Sequence, residues 1–180
     1  GNLLLRSLGG TGMSSNAAVS STTNVTLNAE GGGGFAQTAG GTLTTTGLRV
    51  LGEGTFDLVQ AGNTVTTVAG DLTGASTFNL TEAGGLVIGT LTTRQSGVTE
   101  AATTSTGLNI AGSAALPTTG TITQAAGSPV AITGTTTLSG TTITLTNAAN
   151  DFGTVAATST GATTLVDLNA IDLGNVTTGG

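Results

Sequence analysis

The chain repeats itself, and no other feature narrows its possible folds so far. Moving the sequence along by 87 positions lays "FAQTAGGTL", from Phe35, on "ITQAAGSPV", from Ile122. The same shift lays Phe56, Leu58, Asn63, Val65 and Val68 on Ile143, Leu145, Asn150, Phe152 and Val155. Further on the shift is 85, with Leu80, Glu82, Leu86, Ile88, Gly89 and Leu91 on Leu165, Asp167, Ile171, Leu173, Gly174 and Val176. Near the start it is 83, with Leu3, Leu5 and Leu8 on Leu86, Ile88 and Leu91. Residues 1–180 therefore read as one segment of two tandem units, about 3–85 and 86–170, plus the start of a third. The small changes of shift imply insertions of about one to four residues, placed in turns.

Within each unit the apolar residues alternate in pairs: Val25/Leu27, Phe56/Leu58, Phe78/Leu80, Leu86/Ile88, Leu108/Ile110, Val130/Ile132, Ile143/Leu145 and Ile171/Leu173. A period of two means strands with one face inward. Leu86, Leu108 and Val130 are evenly spaced, which suggests successive turns of about 20 to 22 residues, about four turns to a unit and roughly eight in all. Strands this short, separated by Gly, Asn, Ser and Thr, predict an all-β parallel β-helix, a β-solenoid, rather than a sandwich. Val, Ile and Thr suit its strands, Ala and Gly its narrow interior, and Gly and Asn the positive φ of sharp corners. Leu58, Leu80, Leu86, Ile88, Ile110, Ile132, Leu145 and Leu173 are the expected core. With strands about 4.8 Å apart, the rod would be on the order of 40 Å long.

Composition removes whole classes of function. Only 7% of residues are charged, against roughly 25% in typical globular proteins. A mean hydropathy of +0.31 nevertheless argues against disorder. The sequence has no His, Cys, Lys, Trp or Tyr; its cations are Arg6, Arg49 and Arg94, and its net charge is −6. Three scattered cations cannot neutralise a run of phosphates, so no nucleic-acid partner is expected. An acidic, Lys-free surface also disfavours anionic membranes, and no apolar run approaches the roughly 18 residues of a membrane span. "GNLLLRSL" is too short for a signal-peptide core, so an export signal, if the chain is secreted, is expected outside this segment.

The candidate sites reduce to structure. Phe35, Phe56 and Phe152 align with Ile122, Ile143 and Val65, and Phe78 shares a strand face with Leu80. Aromatics that exchange with aliphatics are core packing rather than a sugar platform. Carboxylate pairs suited to glycoside hydrolysis, Glu53 with Asp57 and Asp167 with Asp172, gain no support from the repeat. Asp57 and Glu53 align with Thr144 and Gly140, whereas Asp167 aligns with Glu82, an acid recurring in a turn as a solvated or corner-capping group does. "EGGGGF", Glu30 to Phe35, lacks the Lys and helix of a phosphate loop and reads as a flexible corner. Asn63 and Asn150 read as stacked or turn-forming, and the Thr-x-Thr run from Thr42 recurs too irregularly for an ice-binding face. No residue is assigned a catalytic, cofactor-binding or metal-binding role, and the chain is not expected to be an enzyme.

"ITLTNAANDFGTV" followed by "TTLVDLNAIDLGNV", with the degenerate copies "FDLVQAGNTVTTV" and "FNLTEAGGLVIGTL", resembles the repeats of filamentous haemagglutinin-type exoproteins. The resemblance extends over essentially all 180 residues. It implies a right-handed parallel β-helix serving as the shaft of a large bacterial adhesin. It further implies two-partner secretion through an outer-membrane partner to the extracellular surface, with adhesion to a host-cell or bacterial surface receptor or glycan, or toxin delivery. Two other functions compete with the shaft: a polysaccharide-binding or polysaccharide-cleaving β-helix, and an ice-binding solenoid. No functional residue carries over from the family.

Overall fold

In the computed structural model, which describes residues 1–94 and 101–179, the chain winds into a stack of about eight parallel coils with no helix. The side chain of Arg94 lies outside the described residues. The first coil is Leu3–Ser7 with Met13–Ser15, the second Val19–Ala29 with Phe35–Gln37, the third Leu43–Leu58 and the fourth Thr64–Leu80. The fifth is Leu86–Ile88 with Leu108–Pro117 and the sixth Ile122–Gln124 with Val130–Gly140. The seventh is Ile143–Leu145 with Asp151–Ser159 and the eighth Thr163–Leu165 with Asp172–Thr178. Leu3 stacks on Val25, Val25 on Leu48, Leu48 on Val68 and Val68 on Ile88, so a coil takes about 20 to 23 residues.

Stacking repeats each inward position from coil to coil. One column runs Met13, Phe35, Phe56, Phe78, Ala114, Thr136, Val155, Leu173. A second runs Leu72, Ile110, Ile132, Phe152, and a third Leu86, Ile122, Ile143, Thr163. Alternation puts each column against the axis, and Phe56, Phe78, Leu80, Ile110, Ile132 and Leu145 are fully buried in one cluster. Adjacent coils approach closely at the corners. At Gly34, φ is 66° and a Cβ would lie 1.9 Å from the Thr55 carbonyl oxygen, so only glycine fits. Among the described residues every positive φ belongs to glycine; Asn, expected to share that role, is used for its side chain instead.

The stacking corrects further expectations. Leu86 and Leu108 do not stack: both belong to the fifth coil, and Leu86 pairs with Ile122 while Leu108 pairs with Gly70 and Val130. Their spacing arises because an antiparallel hairpin, Thr90–Arg94 with Ala102–Thr106, leaves the coil between them. That insertion is far larger than the few residues expected. It also uses up chain without adding a coil, so the unit that contains it, 86–170, spans about three and a third coils, whereas 3–85 spans the expected four. Residues that the repeat superposes therefore lie in different columns: Phe35 stacks with Phe56 and Phe78, its counterpart Ile122 with Leu86 and Ile143. Leu173, too, differs: it is 55% exposed rather than core, because its coil is covered on one side only.

Candidate functional site

Corners and outward positions are where a solenoid can carry chemistry, and two corners are built alike. At the first, Asn63 is fully buried. Its Oδ1 accepts from Gln37 Nε2 at 2.7 Å and the Leu43 amide at 2.8 Å. Its Nδ2 donates to Gln37 Oε1, the Leu58 carbonyl and the Thr81 carbonyl. At the second, Asn150 accepts from Gln124 Nε2 and the Val130 amide and donates to Gln124 Oε1, Leu145 O and Val166 O. Each amide thus saturates backbone groups that a turn cut off from the sheet would leave buried and unpaired. Gln37 and Gln124 coincide in the aligned "FAQTAGGTL" and "ITQAAGSPV", a coincidence that is the sequence signal for this shared corner and that is not among the expectations above.

The recurring acid serves the same corners. Glu82, 2% exposed, accepts from the Val65 amide at 2.7 Å through Oε2 and from the Gly84 amide at 3.1 Å through Oε1. Burial raises its pKa above the ordinary carboxylate value, opposed by those backbone donors. Asp167 repeats the pattern, accepting from the Phe152 and Asn169 amides. Of the other candidate acids, Asp57 accepts from Asn79 Nδ2 at 2.5 Å and Asp172 from Thr154 Oγ1 at 2.9 Å. Glu53 stands at a separate corner, beside Gly32 and Gly74. "EGGGGF" forms a corner too, where Glu30 accepts from Arg6 and Asn28. Phe35, Phe56, Phe78 and Phe152 are all buried in the core. No group of three metal-ligating side chains occurs among the described residues.

Arg49, in the sequence one of three scattered cations, organises a hairpin that departs from the solenoid. It is 1% exposed. Nε donates to Ser105 Oγ at 2.8 Å, and Nη1 reaches Thr93 and Thr103, including both their carbonyls. Ser105 Oγ in turn donates to Asp71 Oδ2. Desolvation lowers the Arg49 pKa and the charge of Asp71 raises it. No local pattern in the sequence announces a hairpin that docks outside the rod.

A groove of about 690 Å³ crosses the first to fourth coils, where Ser20 stacks on Thr44 and Thr44 on Thr64, with Thr22, Thr46 and Thr66 beside them. All six are exposed. The hydroxyl pattern stops at the fifth coil, where Leu86 and Ile88 turn inward around Val87.

A family described as repeats of unknown function (DUF5649) matches residues 93–159, from the hairpin into the seventh coil. No curated protein and no solved structure matches the chain significantly. None of the described residues lies in a helix long and apolar enough to cross a membrane.

Proposed function

We propose that this chain is part of the structural shaft of a secreted bacterial cell-surface adhesin, exported through an outer-membrane partner. Its function then lies in length, stiffness and outer surface, which presents or forms a contact with a host-cell or bacterial receptor or glycan. One observation carries the reading: the side chains best suited to chemistry hold the rod together instead. Asn63, Asn150, Glu82 and Asp167 bind corner backbone, and Arg49 and Asp71 bind the hairpin. The resemblance to haemagglutinin-type repeats supports the cell-surface setting. Antibodies raised against the chain should label intact bacteria, and the released parent protein should image as a rod. Labelling confined to lysed cells, or a globular particle, would overturn the proposal.

A second reading, a polysaccharide-binding surface, draws on the hydroxyl-lined groove over Thr44 and Thr64. Binding of the isolated chain to a panel of neutral and acidic polysaccharides tests it. Loss of binding in Thr44→Val/Thr64→Val, without release of reducing ends by the wild type, would favour a contact surface over a hydrolase.

A further inference from the structure

A solenoid coil normally touches only the coils above and below it, so the stack should open coil by coil from its ends. The hairpin breaks that rule. It leaves the fifth coil, pinched at its base where the Gly107 amide donates to the Gly89 carbonyl at 2.8 Å. It then lies back along the outside of the rod. Thr26 Oγ1 of the second coil donates to Thr93 Oγ1 at 2.8 Å. Arg49 of the third coil bonds Thr93, Thr103 and Ser105. Asp71 of the fourth coil accepts from Ser105, and Ser128, between the strands of the sixth, pairs its hydroxyl with Thr90 at 3.0 Å. Gly47 leaves room for the contact: a Cβ there would lie 2.8 Å from Leu91 Cδ2.

We infer that the hairpin is a lateral staple, pinned by Arg49, that makes the second to sixth coils open as one cooperative block. The physical reason is the buried guanidinium. Lifting the hairpin strands Arg49 from its partners while Asp71 loses Ser105; opening the third coil alone likewise strands Arg49, and opening the second alone parts Thr26 from Thr93. Removing one partner of such a buried group is far more damaging than losing an exposed ion pair such as Arg6 with Glu30. For a shaft, the staple would resist axial tension in the coils it spans. This deepens the shaft reading but is tested without it, because the readout is the isolated chain whether or not the parent protein reaches a cell surface.

Native-state hydrogen exchange on the full chain is the test. In the wild type, slow amides of the second to sixth coils should share one opening equilibrium, with the eighth coil opening separately. Two variants probe the cause. Removing residues 90–107 joins Gly89 to Leu108, reproducing the uninterrupted Val68–Ala69–Gly70 run on which Ile88 and Leu108 stack. Arg49→Met keeps the hairpin and removes its pin. Either variant should raise exchange in the second and third coils about a hundredfold while the seventh coil changes little. If the deletion does not fold, Arg49→Met and the wild-type profile still decide. Protection that grades smoothly from the ends in the wild type would overturn the inference. So would variants that leave the second and third coils unchanged or accelerate all coils alike.

Discussion

Thr136 occupies an inward position between Ala114 and Val155, fully buried, and its hydroxyl has no hydrogen-bond partner among the described residues. Thr136→Val keeps the shape and removes the unpaired group, so it should stabilise the chain by about 1 kcal/mol, read from chemical denaturation. Asn63 and Asn150 are the opposite case, buried but saturated. Asn63→Ala leaves Gln37, the Leu43 amide and two carbonyls without their partner, and should cost about 3 kcal/mol or more. Asn150→Ala should cost a similar amount, since its bonds are the same in kind and number; a clear inequality would deny that the two corners are equivalent. Glu82 adds a pH dependence whose sign follows from its raised pKa. Above the usual value near 4.5 the unfolded chain releases this proton while the folded chain still holds it. Stability should therefore fall as pH rises from there through the raised folded-state pKa, and level off beyond it. Comparing denaturation curves across that window, Glu82→Gln should lack this descent; an identical slope in both proteins would assign the effect elsewhere.

Among the elements, a strand's exposure depends on whether a coil lies on both sides of it. Leu145 and Leu173 both alternate inward, but Leu145 sits between the sixth and eighth coils and is fully buried, whereas Leu173 is half open. Leu145→Asp should therefore cost several kcal/mol by burying an unpaired charge, and Leu173→Asp less than about 1 kcal/mol. Melting temperatures of the pair decide whether position in the stack or hydrophobicity alone governs the response. The alternation that places these residues was legible because a period of two is written locally, as were the phenylalanines, which repeat as aliphatics. The corner acids and asparagines were legible through their recurrence. The hairpin was not. Its strand residues, Thr90–Arg94 and Ala102–Thr106, are as β-prone as those of the coils, and direction of pairing leaves no mark on composition. Leu108 then resumed the pattern at a spacing that imitated an ordinary turn. Arg49 was hidden for the same reason, since its partners Thr93, Thr103 and Ser105 are distant in sequence and ordinary in type.

For the whole molecule, the coil that the hairpin fails to complete means that the repeat is not a simple translation along the rod. Residues that the repeat relates across the hairpin are turned about the axis, so equivalent side chains face different directions: Val65 stacks beneath Thr45, its counterpart Phe152 beneath Ile132. The stack tolerates this because each coil has to match only its neighbours, and any inward apolar residue meets that demand. The coil rather than the repeat unit is then the element that can be added or removed. Duplicating residues 122–142 in tandem tests this directly. Ile122 stacks on Ile143, so the second copy begins where the next coil begins, and Asn150 keeps a Gln124 in its native place. The enlarged chain should fold into a rod longer by about 4.8 Å, with its melting temperature unchanged or raised. Duplicating only residues 122–131 adds about half a coil with none of the contacts that seat the hairpin outside the rod, so it should misplace inward side chains at the junction and bury polar ones, lowering the melting temperature and opening the junction to protease. Small-angle scattering measures the length and limited proteolysis the damage; equal tolerance of both insertions would mean that the coils are not held by register.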